Sequence, residues 1–437
     1  MSAPAGVTYR VQPGGALRGP LRVPGDKSIS HRAVMLGALA EGKTTVTGFL
    51  DGEDCLCTMK AFQAMGVRIE QSGDATLRVS GVGLQGLKAP AAALDLGNSG
   101  TSMRLMAGLM SGQKFATTLV GDESLSRRPM KRIIEPLAQM GARIEADDGH
   151  APLRIGGNAT LKGIRYASPV ASAQLKSGVL LAGLYATGRT EVTEPEASRD
   201  HTERMLRAFG VAVDAEPGRA ALSGGQGLKG TTIEVPADIS SAAFFMVGAA
   251  IAPGSDLTLA GVGVNPTRTG IVEILRRMGA DIEIESGRML GGEPVADIRV
   301  RGRSLHGVAI GRDLVAAAID EFPAIFVAAA CARGVTEVSG AEELRVKESD
   351  RIQAMCEGLT ALGIAAQALP GGARICGGRL GGGRVDSRGD HRVAMSFAIA
   401  ALRAEQPVTI ADCANVNTSF PGFATLAASA GLGIGVS

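Results

Sequence analysis

The sequence predicts an α/β protein of two domains, built from six repeated units, three to a domain, around buried helices. Three observations predict it. A polar, often charged knot followed by a helix-length run of Ala, Gly, Leu, Val and Met returns six times, starting near Gly25, Gly97, Ala171, Ala237, Ile319 and Gly389. The spacings of 72, 74, 66, 82 and 70 residues make this a repeat rather than chance clustering. In step with the knots, a helical pattern ends in an apolar residue and a glycine at Gly66, Gly141, Gly210, Gly279, Gly363 and Gly431. At 437 residues the chain exceeds what one core usually supports, so six units divide naturally into three and three.

The first copy shows the order of elements. Its apolar run closes at Glu41-Gly42, and the β-branched alternation of residues 43–48 reads as a strand. Residues 54–65 place Leu56, Met59, Ala61, Phe62 and Met65 at the three-and-four spacing of an amphipathic helix. Gly66 ends that helix as a C-cap, residues 67–70 alternate as a second strand, and a further hairpin precedes the next knot. Matching strands are expected at 117–120, 190–193, 257–259, 335–338 and 408–410. The first helix of each unit, such as 241–252 or 323–332, is apolar on every side and must lie inside. With 45% hydrophobic but only 3% aromatic residues and no Trp, the core must use small and aliphatic side chains, with helices packed closely.

Composition also sets aside whole classes of function. The longest apolar stretch, around 242–252, falls short of the roughly 20 residues that span a bilayer, and the N-terminal segment has neither a basic start nor an apolar signal core. A soluble, cytoplasmic protein without a membrane partner is expected. Six cysteines and five histidines show no metal-ligand spacing, so no metal is expected and the thiols read as reduced structural groups. A net charge of +2 and scarce aromatics speak against nucleic acid. The glycine-rich stretch 377–383 lacks the strand-to-helix setting of a nucleotide loop and reads as a turn; no cofactor is implied.

Local charge is more informative. Lys27, Arg32, Arg104, Arg127, Arg128, Arg199, Lys347, Arg351 and Arg392 occupy knots or the turns that follow strands. A single cation near a helix start is usually a solvated surface group. Recurrence in most repeats is different, because helix N-termini already favour anions through their unpaired N–H groups and macrodipole. If the three inner helices of a domain run parallel, their positive ends converge on one face. Two such faces opposed would form a cleft for a multiply anionic ligand.

These phrases carry a resemblance. PGDKSISHR from Pro24, GNSGTSMR from Gly97, RVKESDR from Arg345 and DHR from Asp390 closely resemble the 5-enolpyruvylshikimate-3-phosphate synthase family, and the likeness runs from about Val11 to the C-terminus through all six repeats. The resemblance implies a two-domain inverted α/β barrel: residues 23–235 hold repeats 1–3, residues 1–22 and 236–437 hold repeats 4–6 completed by the N-terminal strand, and the active site lies in the interdomain cleft. It implies transfer of the carboxyvinyl group of phosphoenolpyruvate to the 5-hydroxyl of shikimate 3-phosphate, releasing phosphate, on the way to chorismate and the aromatic amino acids. The expected partners are these two substrates and the inhibitor glyphosate, bound by a monomer. Closure of the two domains is expected, because water must be kept from the reacting cation.

Carried over residue by residue, Lys27, Ser28, Arg32, Ser172, Ala173, Gln174, Arg199, Asp320 and Lys347 match the shikimate 3-phosphate site. Lys27, Gly100, Thr101, Arg128, Gln174, Lys347, Arg351 and Arg392 match the phosphoenolpyruvate site, where guanidinium forks suit a phosphate and a carboxylate. Asp320 matches the base, Glu348 the acid or proton relay, and Lys27 is a third proton-transfer candidate as a lysine held among cations. Arg127 is expected to leave the contact to Arg128, Arg104 to be structural, and Glu321 to pair with a local cation. One departure is that Asn417-Thr418-Ser419-Phe420-Pro421 lacks the lysine many relatives carry before T-F-P, leaving Thr418 or Ser419 a weaker neutral contact or none.

Two other readings compete. UDP-N-acetylglucosamine enolpyruvyl transferases share the repeats and the phosphoenolpyruvate chemistry, but typically show Lys-Asn in the first knot and a reactive Cys, sometimes Asp, in the loop near 121–131. Here the knot reads Lys27-Ser28 and the loop GDESLSRRPMK, without cysteine. A non-enzymatic repeat scaffold would keep its exposed positions similar, whereas these knots carry different groups in different copies.

Overall fold

Six apolar runs become six buried helices: Lys27–Leu39, Gly100–Ser111, Ala173–Gly183, Ile239–Ile251, Phe322–Cys331 and His391–Ala400. The computed structural model describes residues 6–73, 75–158 and 160–437; residues 1–5, where the reading of the N-terminal segment begins, lie outside the described residues. The knots recur partly because each such helix needs a start. Asp26, Ser99, Ser172, Asp238 and Asp390 are N-caps whose side chains accept from Ile29, Ser102, Leu175, Ser240 and Arg392 backbone N–H groups. The fifth helix has no side-chain cap and instead begins with Phe322-Pro323. Burial is complete along Ile239–Ile251, as expected of a helix apolar all round.

Small residues set how closely these helices meet. A Cβ on Gly108 would lie 1.9 Å from the carbonyl oxygen of Gly178, so the second and third inner helices touch backbone to backbone there.

Around the helices stand six sheets of one pattern. In the second, Thr117–Val120 pairs antiparallel with His150–Ile155, which closes a hairpin with Ile144–Asp147. On its other side Thr117–Val120 pairs in parallel with the short strand Leu94–Asp95, in the register Leu94↔Leu119. The expected strands at 117–120, 190–193, 257–259, 335–338 and 408–410 all lie within observed strands. The parallel edge strands were not expected, because two to four residues are too few to show an alternation. Each repeat is therefore an edge strand, inner helix, parallel strand, amphipathic helix and hairpin: an inverted α/β barrel of six units, three around each core.

The chain divides into two compact units with separate hydrophobic cores. One comprises Gly25–Val235 with Leu290–Glu293. Its first sheet is completed by Leu228–Lys229 and Thr232–Glu234, which run parallel to Ala40–Thr47. The other comprises the chain up to Pro24, Pro236–Met289 and Pro294–Ser437. Two N-terminal strands serve it: Arg18–Leu21 lies parallel to Asp256–Gly263, and Tyr9–Val11 is inserted between Val408–Ala411 and Ile434–Val436. Among the described residues no single helix is long and apolar enough to cross a membrane. Among the described residues no disulfide joins the six cysteines, and burial pushes the thiols of Cys331 and Cys413 up to about 12.

Candidate active site

In the first unit, the starts of the inner helices carry a connected set of cations and hydroxyls. Lys27 is the first residue of its helix, and its Nζ lies 3.0 Å from Oδ2 of Asp54, a buried carboxylate near the start of Glu53–Ala64. A lysine at a helix N-terminus opposes the macrodipole, so its place there is not explained by helix stability. Arg32, one turn on, is buried and donates from Nε to Thr202 Oγ1 (2.7 Å), from Nη1 to the Ser28 carbonyl (2.8 Å) and from Nη2 to Ser177 Oγ (2.8 Å). Burial, only partly offset by Glu203 and Asp26, lowers its pKa to about 10, leaving it charged near neutrality.

The second and third helix starts share one network. Gln174 donates from Nε2 to Thr101 Oγ1 (3.0 Å), and its Oε1 accepts from Arg104 Nη1 (2.9 Å). Arg104 also donates to the Gly100 and Pro129 carbonyls. Arg128 is buried and donates from Nη2 to Asn98 Oδ1 (2.5 Å) and Ser124 Oγ (3.2 Å), while Arg127 is exposed and pairs with Glu123. Of the two adjacent arginines, the second therefore faces inward beside Gly100. Ser172 caps the third helix, Ala173 begins it, and Ser28 and Arg199 are half-buried.

Beneath these groups, fully buried His31 joins two helices. Its Nδ1 lies 2.8 Å from Thr58 Oγ1, which lies 2.6 Å from Ser102 Oγ. Burial first, then Lys27 and Arg32, hold its pKa well below 6.5, against a smaller opposing effect of Asp26. The fold thus refuses a proton that the unfolded chain takes up below about pH 6.5, and stability falls as pH drops from there toward the folded pKa. Urea midpoints between pH 7.5 and 5 should decline in the wild type and decline less in His31→Gln; equal slopes would remove His31 as the cause.

In the second unit, three cations gather at one carboxylate. Asp320 Oδ1 lies 3.4 Å from Lys347 Nζ and 3.5 Å from Arg351 Nη1, and its Oδ2 lies 4.0 Å from Arg392 Nη2. Arg392 also donates to the Asp320 carbonyl at 2.9 Å. Arg351 is 1% exposed; its Nε lies 2.9 Å from Asp390 Oδ2 and its Nη2 pairs with Glu348. Burial opposes its charge, but Asp390, Glu348 and Asp320 together outweigh that and raise its pKa further. Its buried Nη1 makes no hydrogen bond, leaving an unspent donor beside Asp320. Glu321 points elsewhere: it is buried, bonded to Ser240 and 4.0 Å from Arg268, the local cation expected for it. Thr418 is turned to its own 3-10 turn, donating to the Asn415 carbonyl at 2.7 Å.

Sequence reasoning passed over Asp54 and Glu194 as site groups, and named Asn98 and Asp390 only within motifs. Asp54 and Asn98 meet their cations 27 and 30 residues away, and no local pattern announces such a pairing.

What this arrangement can do is bind and turn over a small anion: fixed guanidinium and ammonium groups, with a carboxylate among them to move a proton. Comparison with known proteins agrees. The family model for EPSP synthase (3-phosphoshikimate 1-carboxyvinyltransferase) matches residues 11–426. The chain is 65% identical over 432 residues to a 3-phosphoshikimate 1-carboxyvinyltransferase of Methylococcus capsulatus, covering 99% of each, and 63% identical to one of Alkalilimnicola ehrlichii, covering 98% of this chain and 96% of the relative. The solved EPSP synthase of Acinetobacter baumannii superposes with a TM-score of 0.88 at 55% identity, covering 99% of this chain and 100% of that one. The enolpyruvyl transferase NikO of Streptomyces tendae, at 16% identity and a TM-score of 0.80, shares the fold. A match of this length, carried through all six repeats and every knot, leaves one assignment: the chain belongs to the EPSP synthase (3-phosphoshikimate 1-carboxyvinyltransferase) family.

Proposed function

We infer that the protein is a transferase of the shikimate pathway that moves the carboxyvinyl group of phosphoenolpyruvate to the 5-hydroxyl of shikimate 3-phosphate. The observation that carries the chemistry is Asp320, an acceptor-only carboxylate with Lys347, Arg351 and Arg392 within 4.0 Å. In this reading Asp320 takes the proton of the 5-hydroxyl while a second group protonates the methylene carbon of phosphoenolpyruvate, making C2 electrophilic. The oxygen adds to C2 and gives a tetrahedral ketal phosphate. Loss of phosphate and of a methyl proton then restores the vinyl group. Glu348 and Lys27 are the proposed partners in proton transfer. Ser28, Arg32, Ser172, Ala173, Gln174 and Arg199 are assigned to shikimate 3-phosphate, with Lys27, Asp320 and Lys347. Gly100, Thr101, Arg128, Arg351 and Arg392 are assigned to phosphoenolpyruvate, with Lys27, Gln174 and Lys347.

Phosphate release from phosphoenolpyruvate, with the product weighed by mass spectrometry, tests this. Turnover should require shikimate 3-phosphate; turnover with UDP-N-acetylglucosamine alone would move the assignment to the sister family, whose first-knot and loop signatures are absent from this sequence. The same reading carries a cytoplasmic monomer, which light scattering and cell fractionation test.

Glyphosate is proposed to occupy the phosphoenolpyruvate side, next to Gly100. A Cβ there would lie 2.8 Å from Arg104 Nη1 and 3.1 Å from Arg128 Nη1, both ends of flexible side chains. Gly100→Ala should therefore fold, displace Arg104 first and crowd Arg128, and raise the glyphosate inhibition constant about tenfold or more, a cost of roughly 1.4 kcal/mol. The KM for phosphoenolpyruvate should rise less. An unchanged inhibition constant would place the inhibitor elsewhere.

A further inference from the structure

A second buried charge cluster lies one turn behind the third knot. Lys176 Nζ sits 3.0 Å from Glu194 Oε2 and 2.9 Å from Glu203 Oε1, and the three side chains are 4%, 0% and 3% exposed. Two carboxylates meet one ammonium here, and Glu203 also lies close enough to the buried Arg32 to favour its charge, so four ionisable groups are tied together behind the helix start. Glu203 Oε2 makes no hydrogen bond. Burial opposes the charge on Lys176, but Glu203 and Glu194 outweigh it and raise its pKa.

The Glu194 carboxylate reaches both segments assigned to shikimate 3-phosphate. Its Oε1 accepts from the backbone N–H of Ser172 at 2.7 Å. Both of its oxygens lie within hydrogen-bond reach of Ser198 Oγ, at 2.9 and 2.7 Å, and Ser198 is the residue before Arg199. Lys176 Nζ lies 3.4 Å from the Ser198 carbonyl. The start of the Ala173–Gly183 helix and the loop that carries Arg199 are thus held by one carboxylate, which is itself held by one lysine.

We propose that Lys176 and Glu194 are positioning residues for shikimate 3-phosphate: Lys176 fixes Glu194, and Glu194 sets the spacing between Ser172–Gln174 and Arg199. The inference rests on the substrate assignment above. Neither residue meets the ligand in this scheme. Without Lys176, two adjacent buried carboxylates repel and Glu194 can no longer serve both segments. On the phosphoenolpyruvate side only Gln174, shared by both substrates and bonded to Thr101, lies on the helix start that Glu194 holds, so that side is coupled to the cluster more weakly.

The test is a split in Michaelis constants, measured on the wild type, Lys176→Met, Lys176→Arg and Glu194→Gln in the same assay. Lys176→Met and Glu194→Gln should raise the KM for shikimate 3-phosphate about tenfold or more, as small misplacements of positioning groups do, with the KM for phosphoenolpyruvate, which shares only Gln174 on that helix start, rising severalfold less. Lys176→Arg should recover most of the loss. If Lys176→Met does not fold, Glu194→Gln, nearly isosteric, decides alone. An unchanged KM for shikimate 3-phosphate in a folded variant, or an equal rise for both substrates, overturns the proposal while an active wild type leaves the reaction standing. A wild type without transfer would overturn both.

Discussion

Asp320→Asn should lower kcat by about 10²–10⁴, the range that a positioned general base supplies, with KM for either substrate changed far less. The amide keeps the shape and an oxygen facing Lys347 and Arg351, 3.4 and 3.5 Å from the present Oδ1, so the neighbouring cations stay in place. What is lost is the ability to take a proton. Asp320→Glu should retain more activity than Asp320→Asn, because it keeps the carboxylate and only displaces it. The neighbouring acid gives the contrast. Glu321 is buried against Ser240 and Arg268, so Glu321→Gln should act on stability and leave the pH dependence of kcat in place. A kcat for Asp320→Asn within a few fold of wild type would move the base to Glu348.

Asp320 and the cations around it could be named in the sequence, while Asp54, Asn98 and Glu194 could not be paired with their partners, and the difference follows from how side chains meet. Knots are local: five of the six supply their own N-cap within the phrase, and the apolar run behind each is long enough to show that no face is polar. The repeat and its strands were therefore legible from spacing and alternation. Edge strands such as Leu94–Asp95 were not, because their pairing is dictated by the parallel neighbour across the inner helix rather than by any pattern of their own. Individual site cations were legible only through recurrence and resemblance. Apart from Asp320, the pairings of those cations were not legible. Asp54 under Lys27, Asn98 on Arg128, and Glu194 at the Ser172 backbone are ordinary polar residues in ordinary places, and only the fold brings each to its contact.

Arg351 shows how one side chain can belong to both the core and the site, and its removal should be the most damaging single change. Asp390 is fully buried: it caps the His391–Ala400 helix through the Arg392 N–H at 2.9 Å, accepts from Ser349 Oγ at 3.0 Å, and has Arg351 Nε 2.9 Å away. Arg351→Met strips the cation from that carboxylate and should cost about 3–5 kcal/mol, most of it the penalty of an unpaired buried charge rather than the worth of the pair. Activity should fall by about 10²–10³, since the variant also lacks a donor intended for the developing anion. The two losses separate in the double variant. Arg351→Met with Asp390→Asn removes both charges while an amide oxygen still caps the helix, so thermal unfolding should return most of the way to wild type. Carboxyvinyl transfer should not return, because nothing replaces the unspent Nη1 beside Asp320. Recovery of transfer together with stability would make Arg351 a purely structural residue, leaving Lys347 and Arg392 to hold the anion in that unit.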